Sequence, residues 1–361
     1  MNPKLNSSIS IVKISDHILE FFKSNTRTQV RIKVNDDSIL EIVNSLDGTR
    51  TIEEIAKDHN VSVDTLIKLL NFLATKGILD STEPKDDFDQ YNRFRRVIHF
   101  FSEYASSHED LVAMWRRIRS GTVLIIGIGA VGSWVACNLA QSGVCSLILM
   151  DKDIVDQTNL HRQFGFCEND IGKYKVDVLA ERLAEFNPLI HIKKHREYLT
   201  ENELYVFDNE KIDLIINCAD KPSVDMTSMW VGEYAMKRNI PHIVGGGYNL
   251  HLSLIGQTVL PGQSACVRCF QKSLDEENRI DPEKVKKLAV KSRKIGSFAP
   301  MCSLIASMVG MESLKVLAGI TPSNLNRRGE FDIYNMDIVY RTYERRDDCE
   351  WCGKNGVYFH T

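Results

Sequence analysis

From residue 121 onward the chain alternates runs of strand character with runs of helical character. Apolar, strand-length runs occupy 122–127, 144–150 and 212–218, and helical patterning occupies 131–142, 173–187 and 223–238. More strands are expected between 240 and 260, then an apolar helix over 303–318 and antiparallel strands near 330–344. This alternation predicts an α/β fold, a Rossmann-like, mostly parallel sheet covered by helices. Residues 271–297 are charged and poor in strand signal, so they read as a loop.

The first 80 residues follow a different pattern. Two short runs, Ile18 to Phe22 and Gln29 to Val34, read as a hairpin joined by "KSNTRT". Three helices are expected after it: Asp36 to Ser45, Thr51 to His59 and Ser62 to Lys76. Thr51 caps the second, and Ser62 and Gly77 bound the third, whose Leu66, Leu69, Leu70 and Leu73 face a core. A hairpin plus three helices is a winged-helix layout. Residues 81–90, "STEPKDDFDQ", are polar and acidic like a linker, and "YNRFRRVIHFFSEY" after them reads as helical. The expected domains are therefore a winged helix at 1–82, a linker and helical lead-in at 83–120, and the α/β domain at 121–361, crossed by a loop at 271–299.

Composition narrows the class. In 361 residues, 43% are hydrophobic and 26% charged, with a net charge of −3. That balance speaks against a nucleic-acid coat or a membrane-surface protein. Residues 1–82 are slightly acidic, with ten Lys and Arg against eleven Asp and Glu, so the winged helix lacks the basic face that DNA demands. No apolar run is expected to reach the roughly 18 residues of a membrane span, and "MNPKLNSSISIVK" lacks a signal-peptide core. Of nine cysteines, four form the pairs Cys266/Cys269 and Cys349/Cys352, while Cys137, Cys145, Cys167, Cys218 and Cys302 are scattered. A cytoplasmic protein with one structural zinc site fits this usage, since two C-x-x-C pairs supply four thiolates.

The candidate chemistry starts at "LIIGIGAVG". Gly127 permits a tight turn, Gly129 and Ala130 bring backbone toward phosphates, and Gly132 lets the next helix approach the strand. Asp151 lies about 20 residues farther on, where an acid can accept a ribose hydroxyl. A dehydrogenase would share these features. What separates the two chemistries is the cluster that follows: Asn159, Arg162 and Gln163, then Lys175. A reacting triphosphate needs side-chain cations aimed at it, more than a redox pyrophosphate does. Asp220, at the end of strand 212–218, can hold Mg²⁺ against phosphates in the same crevice.

Taken in order, "GIGAVG", "DKD", "TNLHRQ", "GKYK", "FNP" and "CADKP" resemble the E1-like adenylyltransferases, among them the ThiF and MoeB sulfur-carrier activators. The resemblance covers about 90–361. It implies that Asp151 and Asp153 serve the ATP nucleoside, that Asn159, Arg162, Gln163 and Lys175 hold the triphosphate, and that Asp220 organises Mg²⁺. It also implies a homodimer in which Arg93 of "QYNRFRR", or neighbouring Arg95 or Arg96, completes the partner's site. Zinc on the four paired cysteines agrees with the resemblance. The chain departs from the thioester-forming members because 271–299 contains no cysteine, and Cys302 reads as a packed thiol.

"LDGTRTIEEIAKDHNVSVDTLIKLLNFLATKGIL" resembles the PqqD-like domains that recognise leader peptides. The implied partner is a ribosomally made precursor whose leader adds a strand to the hairpin over Ile18–Val34, beside Ser62–Lys76. The combination resembles the adenylating enzymes of microcin C7 and pantocin A biosynthesis. Lys284, Lys286, Lys287, Lys291, Arg293 and Lys294 crowd the loop and suit a glutamate-rich core peptide, which favours the pantocin-type condensation of glutamate side chains. AMP coupling to a peptide C-terminus, activation of a ubiquitin-like carrier and a non-catalytic binding scaffold are the alternatives.

Overall fold

Hydrophobic alternation builds a small antiparallel sheet at the start of the chain. The computed structural model describes residues 2–6, 8–24, 27–35, 37–80, 91–249, 252–278 and 296–358. It divides into two units, Met1–Val112 and Ala113–Thr361. In the first, β1 (Ile9–Ser15), β2 (Ile18–Lys23) and β3 (Thr28–Lys33) form an antiparallel sheet in chain order. Helices α1 (Ser38–Asn44), α2 (Ile52–Asp58) and α3 (Val63–Thr75) follow. The hairpin and the three helices lie where the pattern puts them. Strand β1 is an addition; its Val12 and Ile14 are exposed, so it lacks a clean apolar face.

A capping box starts α2: the Glu54 N–H donates to Thr51 Oγ1 at 3.2 Å, and the Thr51 N–H donates to Glu54 Oε2 at 2.8 Å. Phe21, Val43, Leu46, Ile55, Leu66, Leu73 and Ile78 form the core of this unit. Helix α4 (Arg95–Ser102) comes next, and α5 (His108–Ser120) carries the chain into the second unit. The linker expected at 81–90 lies outside the described residues.

The second unit opens with β4 (Thr122–Ile126), α6 (Gly132–Gln141), β5 (Ser146–Met150), α7 (Lys175–Phe186) and β6 (His191–His195). It continues with β7 (Leu214–Asn217), α8 (Val224–Lys237), β8 (His242–Val244), β9 (Gly247–Asn249), β10 (Leu252–Ile255) and β11 (Thr258–Val259). Last come α9 (Val267–Glu277), α10 (Ala299–Ala318), β12 (Arg327–Asp332) and β13 (Asp337–Thr342).

The main sheet runs β11-β8-β7-β4-β5-β6, parallel except for β11, which pairs antiparallel with β8. The chain first builds outward from β4 through β5 to β6, then returns to the other side of β4 with β7. That reversal is a topological switch point, and it opens a crevice beyond the carboxyl end of β4. The central strands are buried on both faces, with Leu124, Ile126, Ile148, Met150 and Ile215 packed among Leu204, Phe207, Val231 and Tyr234. A second sheet, β13-β12-β10-β9, is antiparallel.

Three expectations are corrected here. Residues 271–277 belong to α9, not to the loop, and 279–295 lie outside the described residues. The apolar helix starts at Ala299, with Pro300 in its first turn where no backbone donor is needed. That helix, α10, is also long and apolar enough to cross a membrane by length and composition, contrary to the sequence reading. Its most apolar window is 56% buried, the pattern of a helix in a protein core. It packs closely on α6, since a Cβ at Gly310 would come within 3.2 Å of Asn138 Cβ.

Candidate nucleotide site and metal centre

The glycine turn is shaped by steric demands. Gly127 has φ +80°, and a Cβ there would meet Cys218 C and Ala219 N at 2.8 Å. A Cβ on Gly132 would lie 2.0 Å from the Gly127 carbonyl oxygen, so α6 can begin there only without a side chain. Gly129 differs: its Cβ would meet nothing nearer than Gln163 Nε2 at 3.9 Å. Two of the glycines serve the fold, and the third leaves the backbone approachable.

Asp151, just beyond β5, holds this turn. Its two oxygens accept from the Ile128 N–H and the Asp153 N–H, each at 2.8 Å. Each keeps a further lone pair for a hydroxyl donor. Burial raises its carboxyl above the usual range, against the pull of Lys175 and the two backbone donors.

Asp153 gathers three partners. Lys175 Nζ lies 3.1 Å from Oδ2 and is buried, Lys221 Nζ lies 3.6 Å from the same oxygen, and the Tyr198 hydroxyl donates to Oδ1 at 2.8 Å. Burial opposes its ionisation, but Tyr198, Lys175 and Lys221 outweigh it and hold the carboxyl below the usual range. Lys175, expected to hold the triphosphate, is paired with Asp153 here, and its backbone N–H also donates to the Asp153 carbonyl at 3.0 Å.

The segment between β5 and α7 is set by local caps. Asp156 accepts from the Thr158 N–H at 2.8 Å, and Asn159 Oδ1 accepts from the Asp156 N–H at 3.1 Å. The Trp134 indole N–H donates to the Arg162 carbonyl at 3.1 Å, and the Phe164 N–H donates to Ser133 Oγ at 2.9 Å, which ties the segment to α6. Arg162 donates through Nη1 to the Thr158 carbonyl, but its buried Nε has no partner among the described residues. Gln163 is buried, and its Oε1 has none among the described residues either. Two orphaned polar atoms on consecutive residues, one of them on the side chain nearest Gly129, are groups that a polar ligand would satisfy.

Asp220 stands beyond the end of β7, level with the glycine turn, because the Cys218 N–H donates to the Ile126 carbonyl at 2.7 Å. It is exposed and makes no ion pair among the described residues. Its exposed carboxylate suits a hydrated Mg²⁺. Arg93, Arg95 and Arg96 are exposed residues of the first unit. Lys221 and Tyr198 were missed as site residues. Lys221 sat inside the "CADKP" motif, whereas nothing in the sequence around Tyr198 ties it to Asp153.

The four paired cysteines converge. Their Sγ atoms all lie within 4.8 Å of one another, with 3.8 Å between Cys266 and Cys269, 3.6 Å between Cys266 and Cys349, and 3.3 Å between Cys269 and Cys352. A tetrahedral zinc with bonds of about 2.3 Å places its sulfurs about 3.8 Å apart, so the residues fit that ion. All four are buried beside Met236, Val259 and Trp351. Cys302 is buried too, 3.3 Å from Ser297 Oγ, and burial raises its thiol above the ordinary value. Burial likewise pushes the Cys218 thiol up to about 12. These are properties of packed, unreactive thiols.

Comparison with known proteins agrees with this arrangement. Residues 105–352 match the ThiF family. Over 237 residues the chain is 27% identical to the molybdopterin-synthase adenylyltransferase of Escherichia coli (strain K12), covering 66% of this chain and 89% of the relative. Its fold matches E. coli MccB solved with AMPCPP and MccA, with a TM-score of 0.76 at 21% identity, over 98% of this chain and 100% of that one. It also matches the microcin C7 biosynthetic enzyme MccB in complex with N-formylated MccA, with a TM-score of 0.74 at 21% identity, over 98% of this chain and 100% of that one. The chain therefore belongs to the ThiF family and is an enzyme of its adenylyltransferase type.

Proposed function

We propose that the protein uses ATP to adenylate a carboxylate in a ribosomally made precursor peptide. The observation that carries the reading is the switch-point crevice, where an approachable glycine, the orphaned Arg162 and Gln163 atoms and the exposed Asp220 carboxylate belong to adjoining segments. A peptide is favoured over a carrier protein by coverage. The molybdopterin-synthase adenylyltransferase aligns with 66% of the chain and an adenylyltransferase and sulfurtransferase with 87%, whereas the MccB fold accounts for 98% of it.

In this reading a carboxylate oxygen attacks the α-phosphorus, pyrophosphate leaves and an acyl-adenylate forms. Arg162 offsets the charge that grows on the phosphates, and Asp151 receives a ribose hydroxyl. Mg²⁺ held by Asp220 would supply further charge neutralisation. Zinc would join the start of α9 to the 349–352 segment and so brace the helix that leads toward residues 279–295. A nucleophile within the peptide then displaces AMP, and condensation of glutamate side chains suits the cationic run at 284–294, which lies outside the described residues. The MccB fold favours a second outcome, in which AMP stays coupled to a peptide C-terminus. In a homodimer, Arg93 of the second copy would complete each site, and the first unit would dock the leader peptide.

Asp220→Ala is expected to abolish peptide-dependent pyrophosphate release while leaving peptide binding intact. Turnover at the wild-type rate in that variant would remove Asp220 from the reaction.

A further inference from the structure

Asp153 carries two lysines that differ in their attachment. Lys175 is the first residue of α7, its side chain is 5% exposed, and its backbone as well as its ammonium is bonded to Asp153. Lys221 comes from the loop after β7, and its side chain is 69% exposed. It lies 3.6 Å from Asp153 Oδ2 and 5.6 Å from the centre of the Tyr198 ring.

Strand order gives this second ion pair its position. Strands β7 and β5 flank β4, and Asn217, Ile126 and Met150 are level in register. Lys221 and Asp153 leave the strands on opposite sides of β4. Their ion pair therefore bridges the end of β4, where the glycine turn begins. A nucleotide's phosphates drawn to that turn meet the Lys221 ammonium on arrival.

Charge decides which partner Lys221 prefers. Asp153 offers a single negative charge, already balanced by buried Lys175 and hydrogen-bonded by Tyr198. An exposed ion pair of that kind is weak. A triphosphate offers several charges and more acceptor oxygens.

We propose that Lys221 is a further phosphate-contacting residue beside those already named, for whose ammonium Asp153 and the β- and γ-phosphates of the nucleotide compete. The proposal rests on the adenylation reading and deepens it. Buried Lys175 balances Asp153 from the α7 side, and exposed Lys221 becomes the exchangeable cation that distinguishes a triphosphate from a monophosphate. It stands next to Asp220, so a single loop delivers both the cation and the carboxylate to the phosphates.

The test is calorimetric titration of the full-length protein with non-cleavable α,β-methylene ATP and, separately, with AMP. Lys221→Met keeps the apolar stem and removes the charge. It is expected to weaken the triphosphate analogue about tenfold, the loss of one charge-assisted contact, and to leave AMP unchanged. Lys221→Arg is expected to stay within about threefold of wild type for both ligands. Unfolding temperatures of both variants are measured alongside, and the exposure of Lys221 predicts little change. Equal affinity of wild type and Lys221→Met for the analogue overturns the proposal and leaves the adenylation reading standing. Equal loss of analogue and AMP also overturns it, because Lys221 then serves the nucleoside or α-phosphate. A wild-type protein that binds no analogue overturns both, and the unmodified chain alone reveals that result.

Discussion

Gly132 and Gly129 belong to one motif but answer to different constraints. At Gly132 a methyl group would sit 2.0 Å from a carbonyl oxygen, so Gly132→Ala forces β4 and α6 apart. It is expected to cost about 2–4 kcal/mol of stability, read from chemical denaturation. Gly129→Ala meets only a side-chain nitrogen at 3.9 Å and is expected to shift stability by no more than about 0.5 kcal/mol. It should nonetheless weaken binding of the ATP analogue, because the added methyl occupies the approach that the missing side chain leaves open. A large stability loss at Gly129 would contradict this division. The motif glycines were legible because φ and close approach are written in residue type. The bond from Asp151 to the Ile128 N–H was not, since a carboxylate in sequence does not reveal which donor it will face. Tyr198 was invisible for the same reason: its partner Asp153 is fixed only by the pairing of β5 with β6.

Among the elements, long periodic helices and buried parallel strands were readable, and polar or short ones were not. Strand β6, "HIKKH", has almost no apolar signal; it is an edge strand, held by its ladder to β5 rather than by its side chains. Residues 271–277 of α9 lie in a stretch whose charge reads as loop, yet the helix is anchored at its start by its N-cap Cys266 and its own Cys269. The paired spacing of the cysteines made the four-thiol cluster foreseeable, and the structure brings the four sulfurs within reach of one ion. Purified protein is expected to hold about one zinc per chain, and Cys352→Ser is expected to lose it with a clear fall in unfolding temperature. Metal analysis of both proteins checks this. An unchanged melting temperature in zinc-free protein would mean that sulfur packing alone joins α9 to the 349–352 segment.

For the whole molecule, sequence patterning conveyed the α/β architecture, while the chain divides at 112/113, inside the lead-in expected at 83–120. The patterning does not single out which arginine a second copy would contribute, because Arg93, Arg95 and Arg96 are equivalent by residue type and all exposed. The homodimer reading has a direct check. Arg93→Ala and Asp220→Ala are each expected to be inactive. A mixture allowed to exchange subunits should regain about one quarter of wild-type pyrophosphate release, since half the dimers are mixed and each of those has one intact site. No recovery on mixing would place the arginine in its own chain's site or outside the reaction.

The order of strands in the main sheet also bears on how the enzyme comes into being. Strands β4, β5 and β6 are near neighbours along the chain and can meet early, whereas β7 must return across a long intervening stretch to pair with β4. The crevice therefore exists only after that late return. A nucleotide has nothing to grip on a half-assembled sheet, so its binding energy rewards only molecules that have finished. Cellular ATP would act on newly made chains as a selective stabiliser, favouring the completed enzyme before any peptide arrives.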